Sequence, residues 1–412
     1  MYHLTRDRVG NAAGISRPSS LAMAWKTGMD GTVYGQPLVI DGAVIAATEN
    51  NSVYSLSLSN GAQRWRTHLG SPVRGADLPC GNIDPLGITG TPAYDQVTGS
   101  LFVVTETSGG AHTLVALDAD TGRVRFSRDL DVGGRDRLAQ QQRAALAVGN
   151  GRVYVAFGGL YGDCGNYVGY VAGLKTDGSG PVVAYRVPTS REGGIWAASG
   201  PAIAADGSVL VAVGNGAATS GPYDGSDSIL RLSPDLSSRL DYFAPATWAS
   251  ENASDSDLGS TGPLILSSGM VIAAGKSGTL YLLDGSKLGG IGGQVAEASG
   301  CTGFGGMAAG SGSAQDTVFV PCVEGLQRFD VTGRSLRSGW RAGVSGSPVV
   351  GGGAVWALDL DRGALDAFDQ ATGRTLATID VGAVTRFMSP VLVPGMAVVG
   401  TRSEVAAVRI TP

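Results

Sequence analysis

The segment from residue 252 to 276 carries the densest group of side chains that can do chemistry. Asn252, Asp255 and Asp257 offer oxygen atoms at the alternate spacing that suits a hard cation such as Ca2+. Asp257 can instead act as a general base, because the nearby Lys276 would lower its pKa. The competing interpretation is a polar loop that caps its own backbone, a role in which Asp and Asn are common.

Lys276 is one of only four lysines and lies between two glycine-bearing turns. Its ammonium can bind a carboxylate or phosphate oxygen of a ligand, or it can pair with Asp257 or Glu49 inside a channel. Glu49 and Glu106 follow equivalent strands and predict an acidic rim. Arg143 is then expected to be their structural ion-pair partner.

Other candidates are weaker, and composition excludes two classes of partner. Asp224 and Asp227, in the run YDGSDS, allow the same choice between ligand contacts and loop capping. His3, His68 and His112 are isolated, so neither a zinc site nor a Ser-His-Asp triad is predicted. The net charge of −5 without a basic stripe argues against nucleic acid, and no apolar run is long enough to span a membrane.

The elements that position these residues are short strands in a repeated unit. Residues 35–70 contain four strand-like runs separated by turn signals, among them Asp41-Gly42 and Asn60-Gly61. One four-stranded meander cannot bury both faces of its sheet, so it must stack on copies of itself. The unit recurs eight times, most clearly as an apolar–polar alternation that ends in Asp and a Thr-Gly turn.

The two ends of the chain predict how the repeats close. The last repeat supplies three strands, and residues 21–28 supply one isolated strand with Trp25 where the first repeat has Trp65. Joining them removes the exposed edges of an open array. The sequence therefore predicts an all-β fold, an eight-bladed β-propeller of four-stranded antiparallel blades, with seven blades and an extra hairpin as the alternative. The predicted single domain, 1–412, divides into an N-terminal arm (1–20), the outer strand of blade 8 (21–28), blades 1 to 7 (35–70, 88–130, 141–188, 196–245, 259–298, 301–343 and 345–382) and the rest of blade 8 (386–412).

The four cysteines bear on the cellular compartment. They allow three disulfide pairings. Cys301 and Cys322 flank one strand of a single repeat, and Cys80 and Cys164 lie in long excursions of neighbouring repeats, which favours pairs 301–322 and 80–164 over four buried thiols. Residues 1–20 lack the apolar core of a signal peptide, so a processed secreted protein and a cytoplasmic protein are both open. Disulfides favour the secreted one.

Four segments resemble a known family, namely YHLTRDRVGN, CGNIDPLGITGTPAYD, GNGRVYVAFGGLYGDC and AGKSGTLYLLD. They are similar to PQQ-binding-like β-propeller repeat proteins of the quinoprotein alcohol dehydrogenase-like superfamily, and most similar to secreted actinobacterial members. The resemblance covers nearly the whole chain. It implies a propeller, and it raises pyrroloquinoline quinone (PQQ) and Ca2+ as possible cofactors, because the dehydrogenases of that superfamily bind both on the propeller axis.

The resemblance also implies roles for individual residues. Trp196, in Gly-Gly-Ile-Trp, is similar to the tryptophan that stacks under the quinone, and Asn215, in Gly-Asn, to a calcium ligand. Asp257, in the run Asp255-Ser-Asp257, is similar to the catalytic base, and Lys276 to the lysine that bonds the quinone oxygens. Asp163 corresponds to an acidic calcium ligand. The implied metal set is therefore Asp163, Asn215, Asp255 and Asp257.

The sequence also departs from the dehydrogenases. They cover the quinone with a ring formed by two adjacent cysteines, whereas here Cys80 is followed by Gly81, and both the Trp before their catalytic Asp and a Cys-x-x-Cys-His haem motif are missing. We therefore expect a secreted, monomeric propeller with a degenerate quinone site that binds a small ligand or a protein partner through its axial pocket and inserted loops. The alternatives are a PQQ/Ca2+-dependent alcohol or sugar dehydrogenase with Asp257 as base, and a non-redox lyase or hydrolase that uses Asp257 and Lys276.

Overall fold

Eight antiparallel sheets form a ring in the computed structural model, which describes residues 1–132, 136–311 and 315–412. The predicted eight-bladed β-propeller is confirmed, and the seven-bladed alternative is wrong. Two blades are widened, blade 3 by Gln140–Gln141 and blade 4 by Gly290–Ile291, which pairs in parallel with its outer strand. The predicted span of blade 6 includes residues 312–314, which lie outside the described residues.

The blades consist of short strands that follow one another from the axis outwards. Blades 1 to 4 contain Leu38–Ile40, Ala43–Ala47, Ser52–Ser57 and Gln63–His68; Ala93–Asp95, Ser100–Thr107, Ala111–Asp118 and Val124–Asp129; Ala147–Gly149, Arg152–Gly159, Tyr170–Lys175 and Val183–Arg186; and Ala202–Ile203, Val209–Val213, Ser228–Leu232 and Arg239–Ala244. Blades 5 to 8 contain Leu264–Ile265, Met270–Ala274, Thr279–Asp284 and Ala296–Ser299; Ala308–Ser311, Asp316–Cys322, Gly325–Thr332 and Ser335–Ala342; Val349–Gly351, Ala354–Asp359, Ala364–Asp369 and Thr375–Asp380; and Val391–Val393, Met396–Gly400, Glu404–Thr411 and Ser20–Gly28. The described helices are the α-helix Trp248–Ser254 and the 3-10 turns Gly75–Asp77, Arg137–Ala139 and Leu258–Ser260.

Blade 8 closes the ring because both ends of the chain meet in it. Ser20–Gly28 pairs antiparallel with Glu404–Thr411, so that Ser20 lies opposite Thr411 and Gly28 opposite Glu404. The second strands of the blades are almost wholly buried, whereas the outer strands alternate between exposed and half-buried residues. Neighbouring blades cover both faces of these second strands, which explains why the second strands are continuously apolar.

The packing of a tryptophan against the turn of the next blade explains why that turn of the repeat contains glycine. Tryptophans on outer strands reach the turn of the next blade in three places, Trp25 at Gly61, Trp65 at Gly122 and Trp340 at Gly373. At the first of these, the indole Nε1 of Trp25 donates to the Leu58 carbonyl at 2.8 Å. A Cβ on Gly61 would lie 2.6 Å from that indole, and Gly61 has a φ of 72°. Glycine is therefore required both by the backbone and by the packing.

The N-terminal arm, residues 1–19, enters the ring at the face where inner and second strands are connected. Tyr2, His3 and Arg8 are fully buried there. The Arg8 guanidinium donates to the carbonyls of Tyr2, Leu146 and Pro201 at 3.0 to 3.1 Å, which ties the arm to blades 3 and 4. The arm thus lies in this end of the central channel.

Two disulfides link distant segments, Cys80 to Cys164 and Cys301 to Cys322. Both predicted pairs are confirmed, and the alternative of free thiols is wrong. Covalent pairs of this kind persist in oxidising compartments. Within the described ranges, we found no helix whose length and hydropathy would let it cross a bilayer.

Candidate functional site

The predicted site residues gather where second strands end and inner strands begin. Asn215 and Lys276 follow the second strands of blades 4 and 5, whereas Trp196 and Asp257 precede the inner strands of the same blades. Antiparallel hairpins bring such positions to one face of the ring. This face lies opposite the N-terminal arm, and we call its centre the axial site.

Lys276 contacts two carboxylates of its own chain. Its ammonium lies 2.7 Å from Asp255 Oδ1 and 2.7 Å from Asp257 Oδ2. Asp255 ends the helix Trp248–Ser254 in the left-handed conformation, at a φ of 52°. Burial raises the pKa of Asp257 while Lys276 opposes that shift, and the two carboxylates outweigh burial and raise the pKa of Lys276. Lys276 is therefore held as a charged partner of these acids.

Three buried oxygen atoms near this pair lack a hydrogen-bond donor among the described residues, namely Asn215 Oδ1, Asp227 Oδ2 and Asp257 Oδ1. Asp227 is fully buried, and its other oxygen accepts the Leu258 N–H at 2.9 Å. Burial, reinforced by the charge of Asp257, raises the pKa of Asp227 to about 9. Asp227 is therefore a neutral acid at physiological pH.

Arg143 is the second cation of the axial site. Its guanidinium carbon lies 5.6 Å from the centre of the Trp196 ring and 5.0 Å from that of Phe387, and its Nε donates to the Trp196 carbonyl at 3.0 Å. Burial lowers the pKa of Arg143 to about 10, although Asp257 and Asp163 oppose that shift. Arg143 therefore stays positive at neutral pH, between two aromatic rings.

A third cation, Arg386, extends this group toward blades 6 and 8. It lies 5.2 Å from the centre of the Phe304 ring, which stacks on Phe387 with an interplanar angle of 18°. Tyr34 also packs against Phe387, with the ring centres 5.9 Å apart. Arg386 is half-buried, and its guanidinium has neither an ion pair nor a hydrogen bond in the part of the chain that the structure describes. Aromatic rings beside guanidinium groups suit a planar anion.

Asn252 and Asp224 are engaged by their own loops. Asn252 accepts the Gly216 N–H at 2.7 Å and donates to Ala218 O and Ser226 Oγ. Asp224 accepts hydrogen bonds from Ser226 and from the Ala218 N–H. Loop capping, the second interpretation for these two residues, therefore describes them.

Glu49 and Glu106 do not form ion pairs with Arg143, contrary to the expectation from the sequence. Arg143 forms no ion pair with either carboxylate in the described ranges. Glu49 accepts the Gly87 N–H at 2.7 Å, and burial raises its pKa to about 8. It is a mostly neutral acid at physiological pH, so no charged rim forms at Glu49.

His112 is not isolated, and this was missed from the sequence. Its Nε2 lies 3.2 Å from Glu106 Oε2 and its Nδ1 lies 2.9 Å from Asp131 Oδ1, with all three side chains buried. Burial alone would lower the pKa of His112, but Glu106 and Asp131 raise it to about 9. Glu106 and His112 face each other across one hairpin, so its register contained the signal for this ion pair.

The axial site does not fit the stacked quinone and Ca2+ that the resemblance implies. Trp196 is only 7% exposed, and its indole lies against the backbone of Gly194 and Gly214, with Arg143 over the ring. Arg143 also supplies a positive charge that interacts with Asp163 and Asp257, two of the three predicted calcium-binding acids. Asp163 instead accepts the hydroxyl of Tyr167.

The acids of the implied metal set do not converge either. In the described residues, the ligand-type atoms that lie within 4.8 Å of one another in a group of three or more belong to Cys301, Cys322 and Glu324. The two cysteines form a disulfide, so they offer no thiolate to a metal. Asp163, Asp255 and Asp257 form no such group.

A family model described as outer membrane protein assembly factor BamB matches residues 22–288. This family match covers more than half of the chain. No curated protein matches the sequence significantly.

Solved structures show the same architecture at low sequence identity. Quinohemoprotein alcohol dehydrogenases from Pseudomonas putida HK5 and Comamonas testosteroni superpose with TM-scores of 0.76 and 0.73, each at 15% identity over 99% of this chain and 79% and 78% of theirs. BamB from Moraxella catarrhalis superposes with a TM-score of 0.65 at 17% identity, over 95% of this chain and 100% of its own. At such identities the likeness concerns the fold alone.

Proposed function

The chain belongs to the PQQ-like β-propeller family whose model is described as outer membrane protein assembly factor BamB, and we propose that it is a secreted ligand-binding propeller. The axial site takes a small planar molecule that carries carboxylates, and it does so without redox chemistry. Propellers host enzymes, binders and scaffolds alike, so the support for this function comes from the site and not from the fold.

The observation that carries the proposal is the pairing of two guanidinium groups with stacked aromatic rings. Arg143 and Arg386 lie over Phe387 and Phe304, and those two rings stack on each other. Lys276 is already neutralised by Asp255 and Asp257, whereas Arg386 has no acidic partner in the described ranges. A carboxylate of the ligand would supply the ion-pair partner of Arg386, since guanidinium and carboxylate form bidentate hydrogen bonds.

Secretion is part of the same proposal. It is supported by the two disulfides, which form and persist in oxidising compartments. The closed ring leaves no blade edge open for strand exchange at the junction of the termini, which is consistent with a monomer.

A PQQ/Ca2+-dependent dehydrogenase is the second candidate. It is favoured by the 2.7 Å contact between Lys276 and Asp257 and by the unpartnered oxygens of Asn215 and Asp257. It would require Arg143 to leave the Trp196 ring, because a planar quinone and a guanidinium cannot occupy the same face.

Calorimetry with two planar anions separates these candidates. We expect PQQ and benzene-1,3,5-tricarboxylate to bind at micromolar to millimolar concentration, with or without Ca2+. Arg386→Ala should weaken binding at least tenfold. Arg334→Ala is the matched control, because Arg334 is an exposed arginine that pairs with Asp284.

Two results would count against the proposal. Calcium-dependent binding of PQQ alone, lost in Lys276→Ala and insensitive to Arg386→Ala, would favour the dehydrogenase. Absence of binding for both anions at millimolar concentration would remove the planar anion as the ligand of the axial site.

A further inference from the structure

The N-terminal arm pairs with the inner strands of four consecutive blades. The inner-strand N–H groups of blades 4 to 7 donate in chain order to four arm carbonyls, namely Ile203 to Arg6 at 2.9 Å, Ile265 to Asp7 at 3.0 Å, Ala309 to Val9 at 2.7 Å and Val350 to Gly10 at 2.8 Å. Residues 6 to 10 therefore cover half of the ring with backbone bonds. The inner strands of this fold are thus able to bind an extended peptide from the side of the channel.

The other half of the ring presents the same backbone groups without acceptors. Val39, Tyr94, Val148 and Leu392 take the corresponding places in blades 1, 2, 3 and 8, next to the turn into the second strand. Alternate residues of an antiparallel pair direct their N–H away from the partner strand, and here that direction is the channel. None of these four N–H groups has a protein acceptor in the described residues.

Three of these four residues border a cavity of about 340 Å3. Val39, Tyr94 and Val148 line it, together with Pro37, Leu38, Ile40 and Val391. Its size is that of an ordinary ligand pocket, and its lining combines apolar side chains with polar groups. Unpaired backbone donors in such a place favour an occupant that brings carbonyl oxygens.

A positive charge borders the cavity. Arg6 lines it, is exposed, and has no acidic partner among the described residues. The acid in the lining, Asp95, is used by its own turn, where it accepts from Val97 N–H and Thr98 Oγ1. Val97 is 93% exposed beside the cavity and offers an apolar contact. An occupant with apolar side chains and one carboxylate fits these groups.

We propose that this cavity, on the face opposite the axial site, docks a short extended peptide of a partner protein. The peptide pairs with the inner strands of blades 1 to 3 in the same way as the arm pairs with those of blades 4 to 7. This is the strand-addition mode of peptide recognition. The arm spans four blades with five residues, so four to five residues of the partner fill the gap. An acidic residue or the C-terminal carboxylate of the peptide faces Arg6.

The test begins with a phage-displayed library of random heptapeptides panned against the intact, disulfide-bonded protein. The strongest binder is then synthesised as the probe. We expect enriched sequences to combine apolar residues with Asp or Glu. With the peptide bound, amide hydrogen exchange at Val39, Tyr94 and Val148 should slow at least tenfold, while Ile203 is unchanged.

Two variants test the pairing and the charge separately. Tyr94→Pro removes one channel-facing N–H without removing a hydrogen bond within the blade, and proline is tolerated at such a sheet edge. This variant should weaken peptide binding at least tenfold. Arg6→Glu should also weaken it at least tenfold, whereas Lys175→Glu makes the same charge change on an outer surface and should leave it within twofold. The Arg6 and Lys175 pair decides the test if Tyr94→Pro does not fold.

Three outcomes would overturn the proposal. One is a library that yields no enriched sequence, and another is a binder that protects amides elsewhere on the propeller. The third is protection of the same three amides by concentration-dependent self-association, which would assign the cavity to a second copy of this chain. None of these outcomes bears on the axial site.

Discussion

The ammonium of Lys276 lies 2.7 Å from the carboxylate of Asp257, which is fully buried while the lysine is 25% exposed. Removing one partner of a buried ion pair leaves the other charge without compensation. We predict that Lys276→Met lowers the free energy of unfolding by about 3 kcal/mol, the low end for such pairs because the lysine is partly exposed. Urea unfolding at pH 8 measures this, with Lys287→Met as an exposed-lysine control.

The loss in Lys276→Met should depend on pH in a defined direction. Without the lysine, the pKa of Asp257 rises further, so the buried acid keeps a proton that the unfolded chain releases. The deficit should therefore grow as pH rises through the range in which Asp257 ionises in the folded wild-type protein, which lies above its ordinary value, and it should shrink when Asp257→Asn is added. A deficit that is the same at pH 5 and pH 8 would contradict a charged Asp257.

Asp227 predicts a second pH effect. Its pKa is about 9 in the folded protein, so between about pH 4 and pH 9 only the unfolded state releases this proton. Stability must then fall with rising pH, by up to about 1.4 kcal/mol per pH unit. Asp227→Asn should reduce that slope between pH 5 and pH 8 by about 1 kcal/mol per unit, in urea titrations.

Asp120→Asn is the control for this experiment because Asp120 is exposed. It should leave the slope of the wild-type protein unchanged. An Asp227→Asn variant whose stability falls with pH as steeply as that of the wild-type protein would show that Asp227 is ionised when folded.

The fold could be predicted because its rules are local to each repeat. The turn at Asn60-Gly61 and the tryptophan that covers it, Trp25, are both legible in the sequence, and each blade repeats the same short antiparallel contacts. Closure also followed from counting strands at the two ends. The sequence also allows the contact of Lys276 with Asp257, since the hairpin of blade 5 brings the start of its inner strand and the end of its second strand to one face of the ring.

The rest could not be predicted because it depends on contacts between distant segments. Residues 1–19 carry no strand period, so nothing in them indicated that Tyr2 and Arg8 would be buried inside the ring. Arg143 and Phe387 come from blades that are far apart in sequence and meet only because the ring closes. The pairing of two strands within one hairpin is easier to predict from the sequence. The register of the hairpin in blade 2 places Glu106 opposite His112.

The histidines His3 and His112 should titrate at opposite extremes. Burial lowers the pKa of His3 to about 3, whereas Glu106 and Asp131 overcome burial and raise that of His112 to about 9. In NMR titrations, the ring resonances of His3 should not shift above pH 4, and those of His112 should move with a midpoint near 9. A His112 midpoint near 6.5 would show that its two acids do not hold the imidazolium.

These two histidines also affect stability with opposite signs. The contribution of His112 is present below about pH 6.5, the pKa of the unfolded chain, and is lost as pH rises through about 9. That of His3 is present above about pH 6.5 and is lost as pH falls. His3→Gln should therefore flatten the stability profile on the acid side only, and His112→Gln on the alkaline side only.

The two disulfides should differ in their contribution to stability. Cys80 and Cys164 are separated by 84 residues, and Cys301 and Cys322 by 21. A cross-link that closes a longer loop removes more entropy from the unfolded chain, about 4.5 against about 3 kcal/mol here. We therefore predict that replacing Cys80 and Cys164 together by alanine costs about 1 kcal/mol more than replacing the other pair, in urea unfolding.

The longer disulfide also fixes local packing, which should add to the difference. Cys80 and Cys164 pack against Val73, Leu86 and Leu160 in one apolar cluster, between the segment that links blades 1 and 2 and the excursion of blade 3. Amide exchange in residues 73–86 should therefore accelerate in the double alanine variant, while exchange in blade 6 is unchanged. An equal or larger loss on removing Cys301 and Cys322 would mean that folded-state contacts, and not loop length, set the contribution of these cross-links.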